Sequence, residues 1–70
     1  MNITEQISEV QSALSRDKIV LNMPGGNKPM IELLGGIHAR ATINKTRPNR
    51  FPNTTEEFET AKKLINLLAK

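Results

Sequence analysis

The chain contains no cysteine, tryptophan or tyrosine, and only two phenylalanines and one histidine among its 70 residues. Without cysteine it can form no disulfide bond and can offer no thiolate to a metal ion. A zinc site built around a single histidine would need carboxylate ligands, which is uncommon, so the sequence predicts neither a metal site nor a cofactor. Proteins that read single-stranded nucleic acid usually stack bases on aromatic rings, so the scarcity of rings makes nucleic acid a less favoured partner than a small anion.

Long apolar runs are also missing. No stretch approaches the ~20 apolar residues that cross a bilayer. The N-terminal segment "MNITEQISEV" has neither the positive start nor the apolar centre of a signal peptide. We therefore expect a cytoplasmic protein with no membrane partner.

The length predicts a single small domain, residues 1–70. The apolar surface that a chain of this size buries roughly balances the conformational entropy lost on folding, so small domains usually need an additional source of stability. Disulfides and metals are excluded by composition, which leaves association. We therefore expect a homo-oligomer, most simply a dimer.

Helical periodicity is clear at the N-terminus. Four apolar residues recur there at spacings of four, three and four: Ile3, Ile7, Val10 and Leu14. This stripe predicts an amphipathic helix from about Ile3 to Ser15, with Asn2 as its N-cap.

A second helix is predicted at the C-terminus, beginning at Thr54 or Thr55. Its apolar stripe consists of Phe58, Ala61, Ile65 and Leu68. Leu64 and Leu67 make this stripe wider than packing on a single surface requires, which leaves open a self-association seam on the helix.

The middle of the chain favours β-structure. "KIVLNM" alternates apolar and polar residues and predicts a strand, which "PGGNKP" then ends. Residues 29–34 fit either a second strand that turns at Gly35-Gly36 or a single helical turn that begins at Pro29. "GIHARATIN" alternates most regularly and predicts a further strand. The expected fold is α+β (α-β-β-β-α), a small antiparallel sheet of two or three strands with the N- and C-terminal helices packed on one face.

Positive charge is concentrated between residues 38 and 50. Three of the four arginines lie there, and no acidic residue occurs between Glu32 and Glu56. Alternation in the predicted strand places His38 and Arg40 on one polar face, and the loop that follows can bring further cations over it. The predicted ligand-binding residues are His38, Arg40, Lys45, Arg47, Asn49 and Arg50. Arginine presents a planar fork of donors that matches phosphate or carboxylate oxygens.

No catalytic set accompanies this segment. His38 has no serine, cysteine or carboxylate at a familiar spacing, so we expect no enzyme activity and no catalytic residues. Gly25 and Gly26 match neither a Walker loop nor a dinucleotide fingerprint, and a turn explains them better than a phosphate contact does.

The sequence thus predicts a non-catalytic protein that binds a phosphate-bearing ligand, with sequestration of that ligand as one role open to it. A nucleotide-like small molecule is favoured over long nucleic acid, because neither predicted helix carries a heavy cationic face. An interaction module that docks on an acidic protein surface is the alternative, and a solvated basic surface paired with the chain's own carboxylates is the third reading. In size, lack of cysteine and single basic loop the chain resembles small phage-encoded proteins that sequester or block a host component, which would imply an inhibitor or adaptor.

Overall fold

The computed structural model describes residues 2–69, which form three α-helices. Helix α1 spans Ile3–Ser15, α2 spans Lys28–Thr46 and α3 spans Thr54–Leu68. Helix α2 packs against both of the others, so the molecule is a small helical bundle. None of the three helices combines the length and the apolar character needed to cross a membrane.

The predicted α+β fold is therefore wrong, since residues 2–69 contain no sheet. Their one β-type contact is an isolated antiparallel bridge between Leu21 and Ala69. The backbone N–H of Asn22 donates to the carbonyl of Leu68 beside it, at 2.8 Å. The segment predicted as the first strand does turn Leu21 into the core, but as an extended connection between α1 and α2.

Helix α2 replaces the other two predicted strands. Four of its residues are buried at spacings of four, three and four: Met30, Leu34, Ile37 and Ala41. These spacings place them on one helical stripe. Ala39 and Ile43, which strand alternation would have turned inward, are exposed instead. Pro29 lies in the first turn of α2, where a missing N–H costs no helical hydrogen bond.

Gly35 and Gly36 lie inside α2 and form no turn. On the α1 side, the side-chain amide of Gln11 lies 3.5 Å from the position that a Cβ on Gly35 would occupy. The same amide nitrogen donates to the carbonyl of Ile31 at 3.2 Å. The hydrogen bond thus links the side chain of one helix to the backbone of the next.

Helix α1 begins and ends where the sequence predicts. The side-chain oxygen of Asn2 accepts the backbone N–H of Glu5 at 3.0 Å, as an N-cap does. At the other end Asp17 adopts a left-handed conformation with φ of 57°. The N–H of Lys18 donates to the carbonyl of Ala13 at 2.9 Å. This hydrogen bond and the left-handed residue form a Schellman-type helix end.

The core lies between the helices, and its largest side chains are all apolar. Its fully buried large side chains are Phe58, Ile7, Leu14, Leu34 and Ile37. Helix α3 supplies Phe58, Ala61 and Ile65, as its periodicity predicts, while Leu68 is only half-buried.

Candidate anion-binding surface

The turn between α2 and α3, residues 47–53, is shaped by the side chain of Asn44. Its amide oxygen accepts the backbone N–H of Phe51 at 2.9 Å, and its amide nitrogen donates to the carbonyl of Phe51 at 3.0 Å. The hydroxyl of Thr54 donates to that same carbonyl at 2.8 Å. These bonds hold the turn in one conformation against the end of α2.

Asn49 contributes its backbone to this turn. It has φ of 64°, and the N–H of Arg50 donates to the carbonyl of Arg47 at 3.1 Å. Proline in the second position and asparagine with positive φ in the third are typical of a type II β-turn. The turn projects the residues on either side of Asn49 away from the bundle, since residues 47–50 are all exposed.

Arg40 is not free to bind a ligand in the way the sequence suggests. Its Nε and Nη2 each donate to the carboxylate of Glu57 on α3, both at 3.2 Å. Arg40 and Glu57 keep 32% and 43% of their side-chain surface exposed, so solvent screens this fork-to-fork pair. The predicted reading in which the basic residues pair internally therefore holds for this one arginine.

His38 and Arg40 do not share a face, because the segment that carries them is a helix. Two residues apart, side chains on a helix point about 200° away from each other. Arg40 lies on the flank of α2 that faces α3, as its ion pair with Glu57 requires. The shared polar strand face predicted for the two residues is wrong.

Three of the predicted ligand residues remain as unpaired cations at the end of α2 and in the turn: Lys45, Arg47 and Arg50. All three are exposed, and none lies within ion-pair distance of a carboxylate of residues 2–69. The guanidinium of Arg50 lies over the ring of Phe51, 4.9 Å from its centroid. This contact orients the guanidinium without neutralising it.

A shallow cavity of about 210 Å³ adjoins one of these cations, Arg50. It is lined by Arg40, Arg50, Phe51, Pro52, Asn53 and Glu57. Arg40 and Arg50 thus meet at one depression, where Glu57 compensates one of the two charges. Sequence reasoning missed Glu57, because only the packing of α2 on α3 reveals that it reaches Arg40.

A second depression, the α2–α3 groove, has a volume of about 350 Å³. Its apolar lining comes from Leu33, Ile37, Ala61 and Leu64, and Glu56 and Glu57 are its acidic residues. The groove and the smaller cavity share Asn53 and Glu57, so they adjoin each other.

The polar side chain beside the Gly25-Gly26 pair has a structural role. The side-chain amide of Asn27, beside the Gly25-Gly26 pair, forms hydrogen bonds with backbone groups of α1 and of the α1–α2 connection. Both glycines have positive φ, as expected of turn residues. In the described part of the chain no three histidine or carboxylate side chains converge on a point where a metal ion could bind.

Comparison with known proteins gives no relative: no protein-family profile, no curated protein and no solved structure matches this chain.

Proposed function

We propose that the protein is a non-catalytic binding protein that holds a phosphate-bearing ligand at the α2–α3 turn. The observation that carries the proposal is the group of exposed cations Lys45, Arg47 and Arg50, which have no carboxylate partner in residues 2–69. We call these three residues the turn cations. A cytoplasmic location belongs to the same proposal, because phosphate esters are concentrated inside cells.

Preorganisation supports this reading. The turn is held by four side-chain hydrogen bonds among Asn44, Phe51 and Thr54, so little backbone entropy is lost when a ligand binds. Arg50 is already oriented by the ring of Phe51. A guanidinium fork favours oxyanions that accept two parallel hydrogen bonds.

The size of the site defines what part of a ligand is held. The cavity of about 210 Å³ is smaller than the ~300–1,000 Å³ of most small-molecule pockets. In the proposed complex a phosphate or pyrophosphate group lies in the cavity against Arg50, the one turn cation in its lining, and an attached nucleoside lies outside the cavity. We therefore expect affinity to follow the number of phosphate charges more than the identity of the base.

The first experiment is a titration of ¹⁵N-labelled protein with inorganic pyrophosphate, ADP and a single-stranded decanucleotide, followed by amide chemical shifts. We expect saturable shifts confined to residues 44–51. The triple variant Lys45→Gln, Arg47→Gln, Arg50→Gln should lose these shifts and keep its melting temperature, because exposed substitutions seldom change stability by more than about 0.5 kcal/mol.

A matched control separates the site from net charge. Arg16→Gln, Lys18→Gln, Lys28→Gln removes the same charge from exposed residues at the end of α1, in the α1–α2 connection and at the start of α2. Lys28 and Lys45 are ~25 Å apart along the helix axis. This control should bind pyrophosphate like the parent protein. Equal loss of binding in the two triple variants, or no shift at millimolar pyrophosphate, contradicts the proposal.

An acidic protein surface is the second candidate partner. The shallow cavity favours it, because cations on an exposed turn suit a flat carboxylate-bearing surface as well as a phosphate. Titration with hexaglutamate distinguishes the two. Stronger binding of hexaglutamate than of pyrophosphate, abolished in the turn-cation variant, would replace the phosphate ligand with an acidic protein.

A further inference from the structure

Helix α3 leaves a row of apolar side chains on the surface. Leu64 is 40% exposed and Leu67 is 80% exposed, and Leu33 on α2 is 46% exposed. Leu33 and Leu64 line the α2–α3 groove. Leu67 follows Leu64 by three residues, so it lies on the same side of α3, one turn further on. Contiguous exposed apolar residues of this kind mark interaction surfaces.

The charges of α3 are divided between its two halves. The N-terminal half carries Glu56, Glu57 and Glu59, and the C-terminal half carries Lys62 and Lys63. Glu57 is paired with Arg40, and Glu59 is paired with Lys62 at 3.0 Å. Glu56 and Lys63 remain, and neither has an ion-pair partner within residues 2–69.

Glu56 and Lys63 are seven residues apart, which places them on the same side of α3, ~10 Å apart along its axis. If a second α3 lies antiparallel with the twofold axis near Thr60, each Glu56 faces the Lys63 of the other copy. A parallel arrangement would place like charges opposite each other. The helix is therefore complementary in charge to its own antiparallel copy.

The groove supports the same arrangement. Its lining on α3 runs from Asn53 to Leu64, and Thr60 lies within that stretch. An antiparallel copy centred near Thr60 places its Leu64 and Leu67 level with the Asn53–Glu57 end of the groove. Each copy then offers a groove and two protruding leucines, as a self-complementary twofold interface requires.

We propose that the protein forms a twofold dimer in which the α3 helices pack antiparallel along the α2–α3 groove. The groove adjoins the smaller cavity at Asn53 and Glu57, but none of the turn cations lines it. Variants of Leu67, Glu56 and Lys63 therefore test the dimer while leaving the turn cations unchanged. The contact is built from one helix and one groove, which corresponds to the small class of interfaces that form weakly and reversibly.

The test is sedimentation equilibrium from about 5 µM to about 1 mM, the range in which weak interfaces associate. The parent protein should show a concentration-dependent monomer–dimer equilibrium. Leu67→Glu should abolish the dimer without changing the helical circular dichroism, because this side chain is 80% exposed in the monomer. Val20→Glu, at an exposed apolar residue in the α1–α2 connection, is the matched control and should leave the dimer intact.

Charge exchange tests the orientation. Glu56→Lys and Lys63→Glu should each weaken the dimer at least several-fold, and the double variant should restore it, since both pairs reform with their signs reversed. A protein that stays monomeric to 1 mM overturns the proposal. It is equally overturned if Val20→Glu disrupts as strongly as Leu67→Glu, or if the double variant fails to recover. A monomer whose groove amides shift only when a basic amphipathic peptide is added would assign the groove to a different partner.

Discussion

At the scale of single residues, two asparagines organise the connections between helices. Asn44 joins the end of α2 to Phe51 and Thr54, and Asn27 joins the end of α1 to the start of α2. Sequence reasoning treats asparagine in such places as a turn former or a ligand contact. Here each side chain satisfies backbone groups that lie several residues away, so its role depends on the fold around it.

Asn27→Ala should destabilise the protein by roughly 1–3 kcal/mol, because it leaves the N–H of Leu21 and the carbonyl of Ile19, both partly buried, without their hydrogen-bond partner. The Asn27 amide oxygen accepts the N–H of Leu21 at 2.8 Å. Its nitrogen donates to the carbonyls of Leu14 at 2.9 Å and Ile19 at 2.6 Å. Urea unfolding followed by circular dichroism measures the loss.

Asn22→Ala is the control for this prediction. Asn22 is exposed, and its interaction with Leu68 uses only its backbone N–H. We expect a change within about 0.5 kcal/mol. If the two alanine variants unfold at the same urea concentration, the amide of Asn27 contributes nothing and its bridging role is wrong.

At the scale of elements, the terminal helices could be predicted from sequence and α2 could not. The apolar residues of α1 and α3 fit a helical period and do not also fit the alternating pattern of a strand. In α2 the true stripe shares Ile37 and Ala41 with an alternating pattern, so both periods fit residues 37–44. The alternation led to the wrong strand prediction, and the turn expected at Gly35-Gly36 agreed with it, because adjacent glycines usually mark a turn. Packing against α1 and α3 determines that this segment is helical, and a local sequence pattern contains no information about that packing.

Replacing Gly36, which lies inside α2, should make the protein more stable. Gly36→Ala should raise the free energy of unfolding by about 0.5–1 kcal/mol, because alanine costs less backbone entropy in a helix than glycine does. A Cβ there would lie 3.4 Å from a guanidinium nitrogen of Arg40, at the end of a flexible side chain that can shift. Thermal and urea unfolding both report the gain.

Gly26→Ala should change stability in the opposite direction from Gly36→Ala. A Cβ on Gly26 would meet nothing within 4 Å, yet this residue has φ of +66°, which side chains rarely adopt. We expect destabilisation by ~1 kcal/mol. Stabilisation by both alanine substitutions would show that backbone conformation at Gly26 is not as described.

At the scale of the whole molecule, the sequence located the positive charge but not its distribution between paired and free groups. The concentration of cations in residues 38–50 follows from composition alone. Whether each is neutralised depends on which helices are neighbours, and Arg40 meets Glu57 across 17 residues only because α2 and α3 form a hairpin. The wrong strand assignment also grouped His38 with Arg40. Charge can be read along a chain, whereas ion pairs are properties of the packed structure.

This distribution predicts that a single carboxylate limits anion binding. Glu57→Ala should tighten pyrophosphate binding about five-fold, equivalent to ~1 kcal/mol, because it releases the guanidinium of Arg40 into the cavity beside Arg50. The lost ion pair is half-exposed, so stability should fall by less than about 1 kcal/mol. Amide shifts in a pyrophosphate titration give the affinity, and urea unfolding gives the stability.

Glu59→Ala removes the same charge from the same helix and also breaks one exposed ion pair, the one with Lys62. It changes the net charge as Glu57→Ala does but leaves Arg40 bound to Glu57. A general electrostatic effect would tighten binding equally in both variants, whereas a site at the cavity tightens only in Glu57→Ala. Equal affinities would mean that Arg40 takes no part, and the turn cations alone would then have to account for any binding that remains.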